Sequence, residues 1–524
     1  MLPDYYAILG IQPSASFEAV KQAFRSLARQ YHPDMQPGSA AETATEHFRI
    51  IYDAYHVLSS PQSRARYDQQ WAQERNQASQ GPRGRRDIPS HGASPTPLAG
   101  LELTCYLSHS QVPIYPKEQL IYALSEVTSF VHEQKPDTLP INLCVAIDRS
   151  SSMGGAKLLA VKLALRSVIE QLRPGDILSI VAFDNRAEVI ARAEPKQLRE
   201  VLISAVDRLG ERGGTEIAHG LEAAMEEARR FSKQSMVSHI ILLTDGKTYG
   251  DEERCLELAS QARQQGIAIT ALGIGTGWND HLIDQIADLS EGLSDYLAGA
   301  DDIASAIDLR VRALRNSLAT NVQLSLELEG GVRLRRVTRV APEFTELMDA
   351  APADQGWMLA REAELNAGII SAGNQGPALA LLWEIMLPAN VTGRYMLGHM
   401  TIQYDIPYAK LTGLRKSGHL VVEFVEAQTL TSTSVSQHVK QVIDYVTAYR
   451  IQSRAQEAAQ QGDHATASEL MRTAAQRLRD ATQEDLARYT QQQAAQLAQK
   501  KTPSRAAMLK LKYATKNLYN SRRA

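Results

Sequence analysis

Apolar residues along this chain follow two different periods, and the alternation of these periods predicts the central fold. Unbroken apolar runs typical of buried strands occupy residues 141–147, 177–183, 239–244 and 267–273. Segments with a helical period lie near residues 157–172, 216–231, 251–265 and 301–316. Strands that alternate with helices in this way imply a doubly wound parallel sheet. We therefore predict an α/β domain over residues 138–318.

A second pattern flanks this domain. Residues 322–328 alternate apolar and polar side chains with period two, which fits a half-buried strand. Strand-like pieces also occur at residues 101–107, 120–131, 378–387, 393–404 and 418–425. We expect a β-sandwich built from residues 101–135 and 319–428, with the α/β domain inserted in its sequence.

Both ends of the chain carry helical patterns. Two amphipathic stripes near the N-terminus consist of Phe17, Val20, Phe24, Leu27 and Ala28, and of Phe48, Ile51, Tyr55 and Leu58. In the C-terminal helical region, residues 433–524, a further stripe consists of Val435, Val439, Val442, Ile443 and Val446. Gly462 and Asp463 separate this helix from a second one, and the pair resembles a tetratricopeptide-like hairpin. Because stacked repeats need about three units for stability, we expect the pair to pack against the sandwich instead.

The composition narrows the class of protein. A length of 524 residues corresponds to about three to four domains. A net charge of −3 gives no general attraction to nucleic acid, so no nucleic-acid partner is expected. No apolar window approaches the ~18 residues of a membrane span. The three cysteines lack metal-ligand spacing and no secretory signal is evident, which predicts a reducing, cytoplasmic location.

Two segments stand out by composition. Residues 71–100 are rich in Gln, Gly, Ser, Pro and Arg, which predicts a flexible linker with a root-mean-square reach of roughly 30 Å. Its arginines could contact RNA, but a solvated linker is the favoured interpretation. Residues 500–524 carry eight basic side chains and no acidic one. This basic tail either contacts an anionic partner or is frayed and solvated, and the sequence favours neither interpretation.

Oxygen-bearing side chains cluster at the ends of two predicted strands. Residues 148–152 read Asp-Arg-Ser-Ser-Ser directly after a buried strand, and the candidate donors are Asp148, Ser150, Ser152, Thr215 and Asp245. Ligands of open α/β sheets bind at this edge, and hard oxygen donors suit Mg²⁺. The set resembles the metal-ion-dependent adhesion site of von Willebrand factor type A (vWA) domains. The resemblance implies that Mg²⁺ or Mn²⁺ binds there and accepts an Asp or Glu carboxylate from a protein partner.

Ser151 and Arg149 lie next to these donors and affect the geometry and the charge of the site. Ser151 stands where the vWA family often has glycine, so the loop geometry could differ. Arg149 either favours an acidic ligand at the site or points to solvent.

A second motif lies between the two N-terminal helices, where residues 31–34 read Tyr-His-Pro-Asp. Together with residues 4–10 and 63–68 it makes residues 1–70 resemble a J domain of the DnaJ family. The resemblance implies that a DnaK-type chaperone ATPase binds and is stimulated here. Its activating loop would consist of His32, Pro33 and Asp34, and its basic docking face of Lys21, Arg25 and Arg29.

These features predict a multidomain α+β protein that acts as a J-domain co-chaperone and not as an enzyme. It would recruit a DnaK-type ATPase to a protein bound by the vWA domain. One alternative is a scaffold that partners an AAA-family ATPase, as in metal-chelatase complexes. A metal-dependent hydrolase with Asp148 or Asp245 as base is a weaker alternative, because the sequence places neither a second carboxylate cluster nor a candidate His close to these motifs, His239 being at the far end of its strand from Asp245.

Overall fold

The computed structural model describes most of the chain beyond residue 98. The described ranges are 99–131, 139–195, 198–231, 236–248, 250–349, 352–353, 356–357, 362–371, 377–429, 435–501 and 503–521. Near the N-terminus the described residues are 20, 21, 23, 24, 54, 55, 57, 58 and 64. The chain divides into two units, Met1–Ser94 and Pro95–Ala524.

In the first unit, the described residues of the two predicted stripes are helical and form a small core. Val20, Ala54 and Leu58 are buried. The ring of Phe24 stacks on that of Tyr55, with centroids 4.1 Å apart. The two stripes therefore pack on each other, as their apolar spacing requires. Lys21 is helical and partly exposed, whereas Arg25, Arg29, His32, Pro33, Asp34 and the linker over residues 71–98 lie outside the described residues.

The second unit begins with the strands β1 (Ala99–Leu107), β2 (Gln111–Pro113) and β3 (Gln119–Val131). The α/β domain follows as β4 (Ile141–Asp148), α1 (Ala156–Glu170), β5 (Ile177–Phe183), β6 (Ala187–Ala191), α2 (Arg199–Asp207), α3 (Ile217–Arg229), β7 (Val237–Thr244), α4 (Glu252–Gln264), β8 (Ala268–Ile274), α5 (Asp280–Leu289), β9 (Ser294–Leu297) and α6 (Ala300–Arg315). The order of its sheet is β6-β5-β4-β7-β8-β9, parallel except for the edge strand β6. The predicted doubly wound sheet is confirmed, with an antiparallel edge that was not foreseen.

Strand β4 shows why these runs are apolar throughout. Leu143, Val145 and Ile147 face a core that includes residues of α1, α2 and α6. Cys144 and Ala146 point to the opposite face, whose core includes residues of α3, α4 and α5. A strand covered by helices on both faces has no solvent side, so its sequence cannot alternate.

The chain then returns to the sandwich through β10 (Ser317–Leu328), β11 (Arg333–Ala341), β12 (Thr345–Asp349), β13 (Pro352–Ala353), β14 (Gly356–Trp357), β15 (Glu362–Ser371), β16 (Leu379–Leu387), β17 (Gly393–Ile406) and β18 (Leu411–Val425). One sheet has the order β1-β3-β16-β11-β12 and the other β15-β10-β17-β18-β2. Leu101 and Trp383 of the first sheet share a core with Leu324, Met400 and Phe424 of the second. Strands from both sides of the α/β domain thus build one sandwich.

The C-terminal helices are α7 (Gln437–Gln460), α8 (His464–Asp480), α9 (Glu484–Ala498), α10 (Arg505–Lys516) and α11 (Leu518–Ser521). Val439, Val442 and Val446 of α7 pack with Leu124 and Leu382 of the sandwich. This is the expected packing against the sandwich. Among the described residues, no helix is both long and apolar enough to cross a membrane.

The interpretation of residues 500–524 as a solvated tail is wrong for residues 505–516. These residues form α10, and Leu509 and Tyr513 join the core of the α/β domain. The Nζ of Lys512 lies 2.7 Å from carboxylate oxygens of both Asp280 and Asp284. Helix α10 of this basic segment therefore contacts acidic side chains of the chain's own α5.

Candidate metal centre

Asp148 is the last residue of β4. It lies at the carboxyl edge of the sheet, where β4 has β5 on one side and β7 on the other. Its side chain is buried and fixed by two donors. The Oγ1 of Thr244 donates to its Oδ2 at 2.6 Å, and the backbone N–H of Ser150 donates to its Oδ1 at 2.8 Å. The carboxylate is thus held at the position where ligands bind in open α/β sheets.

The other candidate donors lie around this carboxylate. The Oγ atoms of Ser150 and Ser152 are 3.0 Å apart, and the Oγ of Ser152 donates to the Oδ1 of Asp245 at 2.6 Å. The Oγ1 of Thr215 lies 3.4 Å from the Oδ2 of Asp148. The structure therefore brings all five sequence-predicted oxygen donors together from three separate loops.

Backbone contacts hold the first and second of these loops to each other. Both the N–H and the Oγ of Ser151 contact the carbonyl oxygen of Gly213 at 3.3 Å. Gly213 has a φ of +70°, a conformation that glycine adopts without strain. Ser151 thus keeps the loop in place although the family often has glycine there.

Gly246 makes room for the second loop. A Cβ atom at this position would lie 2.6 Å from the Oγ1 of Thr215, closer than two such atoms normally approach. A glycine directly after Asp245 therefore allows the hydroxyl of Thr215 to come near the carboxylates.

The side chain of Arg149 fits neither of the two expectations from sequence. Its Nε donates to Asp184 and its Nη1 to Glu188, each at 2.8 Å, and the side chain is only 10% exposed. It points neither to solvent nor to the candidate donors. Arg149 instead joins the loop after β4 to Asp184 in the turn after β5 and to Glu188 of β6.

Sequence analysis missed two residues of the site, Thr244 and Lys157. Thr244 precedes Asp245 at the end of β7, and its position in the motif was the available signal. Lys157 lies in the first turn of α1, where its Nζ contacts the Oδ2 of Asp245 and the carbonyl oxygen of Ser152, the latter at 3.2 Å. Only the packing of α1 beside the third loop reveals this contact.

The electrostatics of the site favour a cation. Burial raises the pKa of Asp148 and the nearby Asp245 raises it further, while hydrogen bonds from Thr244 and Ser150 act in the opposite direction. Two neighbouring buried carboxylates are costly unless positive charge compensates them. A divalent cation would supply that charge.

The donor set suits a hard ion. It consists of hydroxyl and carboxylate oxygens, which Mg²⁺ and Mn²⁺ prefer over nitrogen and sulfur. In the part of the chain that the structure describes, no group of three or more His, Cys, Asp or Glu side chains is placed to hold a metal ion. The residues at this edge therefore fit an ion bound mainly through hydroxyls and water.

His239 lies near the start of β7, whereas Asp245 follows the end of that strand. Its Nε2 lies 2.8 Å from the Oγ1 of Thr270, and its side chain is buried. Burial lowers the pKa of His239 to about 3, and the charge of Arg310 contributes. The imidazole is a neutral core group remote from the oxygen donors, so His239 is not placed to act as a base at this site.

This histidine predicts a pH dependence of stability. Its folded pKa of about 3 lies below the ordinary value of 6.5, so the unfolded chain binds the proton more tightly. The contribution of neutral His239 to the free energy of unfolding is complete above pH 6.5. It declines as the pH falls toward 3, by at most about 1.4 kcal/mol per pH unit. Urea unfolding of wild type and His239→Gln between pH 4 and 7 measures it. If the free energy of unfolding changed equally with pH in both proteins, the prediction would be wrong.

Three family descriptions match the chain. Residues 4–68 match the DnaJ domain, residues 142–307 the von Willebrand factor type A domain, and residues 437–521 the "Sll0103-like, C-terminal alpha-helical domain". A solved structure, "von Willebrand factor type A from Catenulispora acidiphila", superposes with a TM-score of 0.63 at 18% identity, covering 79% of this chain and 96% of that one. The fold and the matches define a vWA protein that carries a DnaJ domain.

Relatives make the assignment more specific. "Uncharacterized protein sll0103" of Synechocystis sp. is 31% identical over 338 residues, which cover 64% of this chain and 78% of that protein. The chain therefore belongs to the family of this Sll0103 protein. "Chaperone protein DnaJ" of Acetivibrio thermocellus is 58% identical over 66 residues, 13% of this chain and 17% of that chaperone. The DnaJ likeness is thus confined to the N-terminal domain, and its union with a vWA domain supports a DnaJ-like co-chaperone adaptor in general.

Proposed function

We propose that this protein stimulates a DnaK-type ATPase through its J domain and recruits that ATPase to a protein held by the vWA domain in a Mg²⁺-dependent way. The observation that supports this most directly is the union of a DnaJ match over residues 4–68 with five converging oxygen donors in the vWA domain. The first feature predicts a chaperone partner and the second a way to bind a client.

In the vWA domain, Ser150 and Ser152 would bind Mg²⁺ or Mn²⁺ directly through their hydroxyls. Thr215 would bind directly or through water, and Asp148 and Asp245 mainly through water. Because the direct donors are neutral, the bound ion keeps enough positive charge to accept a carboxylate from an Asp or Glu of the client. The hydrogen bonds to Asp148 from Thr244 and Ser150 hold that side chain in position before the ion arrives.

In the J domain, His32, Pro33 and Asp34 would form the loop that activates the ATPase, and Lys21, Arg25 and Arg29 the face that binds it. Pro33 restricts the backbone, so His32 and Asp34 would be presented in a defined orientation. Neither needs to act as a catalyst. We place this activity in the cytoplasm, where the three free cysteines would stay reduced.

The two functions are expected to be separable by mutation. Asp245→Ala in the full chain should abolish Mg²⁺-dependent capture of client from a lysate but leave stimulation of the ATPase unchanged. His32→Gln should do the reverse. Affinity capture with mass spectrometry, in Mg²⁺ and in EDTA, measures the first activity, and single-turnover ATP hydrolysis the second. Asp207→Ala, an exposed acidic residue of the same domain, is the matched control for Asp245→Ala.

Three results would contradict the proposal. Loss of one shared activity in both variants would show that the domains do not act independently. Mg²⁺-dependent capture of an AAA-family ATPase, with no stimulation of a DnaK-type enzyme, would favour the scaffold alternative. Turnover of phosphoester or peptide substrates by residues 100–524 would instead indicate a hydrolase.

A further inference from the structure

The ammonium group of Lys157 is placed where it neutralises the candidate metal site. Its Nζ contacts the Oδ2 of Asp245, whose side chain is only 1% exposed, while the lysine side chain is 31% exposed. It also lies 3.2 Å from the carbonyl oxygen of Ser152. Three elements therefore meet at this one cation: the first turn of α1, the loop after β4 and the end of β7.

Local structure does not favour a lysine at this position. The N-terminus of a helix carries a partial positive charge and normally attracts acidic side chains. Helix α1 begins at Ala156 after Gly155, no side chain caps it, and its first turn contains no acidic residue. The ion pair with Asp245 offsets the unfavourable placement of Lys157, so the reason for a cation here lies in the site and not in the helix.

We infer that Lys157 is a tethered counter-ion that competes with the divalent cation for Asp245 and thereby sets the affinity of the site. This inference rests on the proposed metal-binding function. Without the metal, the ammonium group offsets part of the charge of Asp148 and Asp245. When the metal binds, it takes over that role, and the flexible side chain of Lys157 moves away toward solvent.

The competition follows from charge and geometry. The Oδ1 of Asp245 already accepts a hydrogen bond from Ser152 at 2.6 Å, and the Oδ2 contacts Lys157. A Mg²⁺ ion bound beside Asp245 repels the ammonium group of Lys157, because two positive charges then approach the same carboxylate. The hydroxyl of Ser152 is itself a candidate ligand, so the contact that yields is the one with Lys157. Its partly exposed side chain has space to do so.

The test compares metal affinities of full-length variants by calorimetry with MgCl₂ and MnCl₂. Lys157→Met should bind Mg²⁺ about tenfold more tightly than wild type, within the 5- to 150-fold range of typical coupling between two ligands. In EDTA its thermal unfolding midpoint should be lower, because Asp245 loses its cation. Lys157→Arg keeps the charge and should bind close to wild type, whereas Lys157→Gln should resemble Lys157→Met.

Lys162→Met is the matched control. Lys162 lies on the same helix, and its Nζ contacts only a backbone oxygen, that of Asp207 at 2.9 Å, among the hydrogen bonds described for it. This variant removes the same unit of charge at a greater distance from the site, so any long-range electrostatic effect appears in both. The difference between the two variants is the effect of the contact with Asp245.

The outcomes separate this inference from the proposed function. Tighter binding by Lys157→Met and Lys157→Gln but not by Lys162→Met supports the inference, and so does binding by Lys157→Met where wild type binds no metal. Equal affinity of wild type, Lys157→Met and Lys162→Met overturns the inference and leaves the metal site standing. Absence of binding by every variant overturns both.

Discussion

Replacing Lys516 with methionine is expected to lower the free energy of unfolding of the second unit by about 3–5 kcal/mol, the usual cost of removing one partner from a buried ion pair. The side chain of Lys516 is only 2% exposed. Its Nζ lies 2.9 Å from Asp284, 2.6 Å from the Oγ of Ser294 and 3.3 Å from Glu343. One ammonium group thus connects α10, the α/β domain and the sandwich.

The large effect has an electrostatic reason. Burial raises the pKa of Asp284, but Lys516 and Lys512 outweigh this and hold it below its ordinary value. Burial raises the pKa of Glu343, and Lys516 is the strongest of the charges that act against this rise. Without Lys516, Asp284 keeps Lys512, whereas buried Glu343 loses its nearest cation and, among the ion pairs of the described residues, keeps the one with Arg339 at 4.0 Å. Methionine fills similar space, so the loss is mainly one of charge and hydrogen bonds.

Urea unfolding of the full chain measures this effect. Trp278 is a suitable fluorescent probe, because it is buried and its ring centroid lies 6.0 Å from that of Tyr513 on α10. Lys510→Met is the control: Lys510 is exposed on the same helix, and its ammonium group lies over the ring of Tyr489 at 5.8 Å. That contact is worth only about 0.5–1 kcal/mol at an exposed site. Equal losses in both variants would show that the buried cluster does not stabilise the fold.

Asp148→Asn is expected to abolish the stabilisation of the protein by Mg²⁺. At a metal concentration a hundredfold above the Kd, wild type should gain about 2.7 kcal/mol, and the variant should gain nothing. The amide keeps the size of the carboxylate but removes a charge at the centre of the candidate site. In EDTA the variant should unfold no earlier than wild type, because burial disfavours the charged form of Asp148, as its raised pKa shows.

Thermal unfolding with MgCl₂ or with EDTA measures both parts of this prediction. Asp207→Asn is the control, since Asp207 is 45% exposed and pairs with Arg166 at the surface. It should respond to Mg²⁺ as wild type does. An Asp148→Asn protein that gains as much stability from Mg²⁺ as wild type would show that the ion binds elsewhere.

The sequence predicted the features that depend on local pattern. Unbroken apolar runs predicted β4, β5, β7 and β8. Such runs are typical of strands that are covered on both faces and have no polar side. The five oxygen donors were found because their motifs directly follow or lie between these strands, and a parallel sheet brings the ends of its strands to one edge. The likeness of residues 1–70 to a J domain was likewise carried by a short motif between two amphipathic helices.

Other elements could not be predicted because their stability comes from distant partners. Strand β11 contains Arg333, Arg336 and Arg339 instead of an alternating apolar pattern, and Arg333 and Arg336 pair with Glu118 and Glu384 on other parts of the sandwich. Helix α9 lies within the predicted C-terminal helical region, but its packing partners could not be predicted from the sequence. Its buried residues Ala494 and Leu497 pack in one core with residues of α7, α8 and α10.

Only the tertiary structure decided which acidic partners the basic side chains contact. Arg149 is buried between Asp184 and Glu188, Lys157 contacts Asp245, and Lys516 contacts Asp284. The partners in these pairs are 35 to 232 positions apart in the chain, and the widest separation is that of Lys516 from Asp284. A charge pattern in sequence shows which residues need compensation, but the position of the compensating charge depends on which elements pack together.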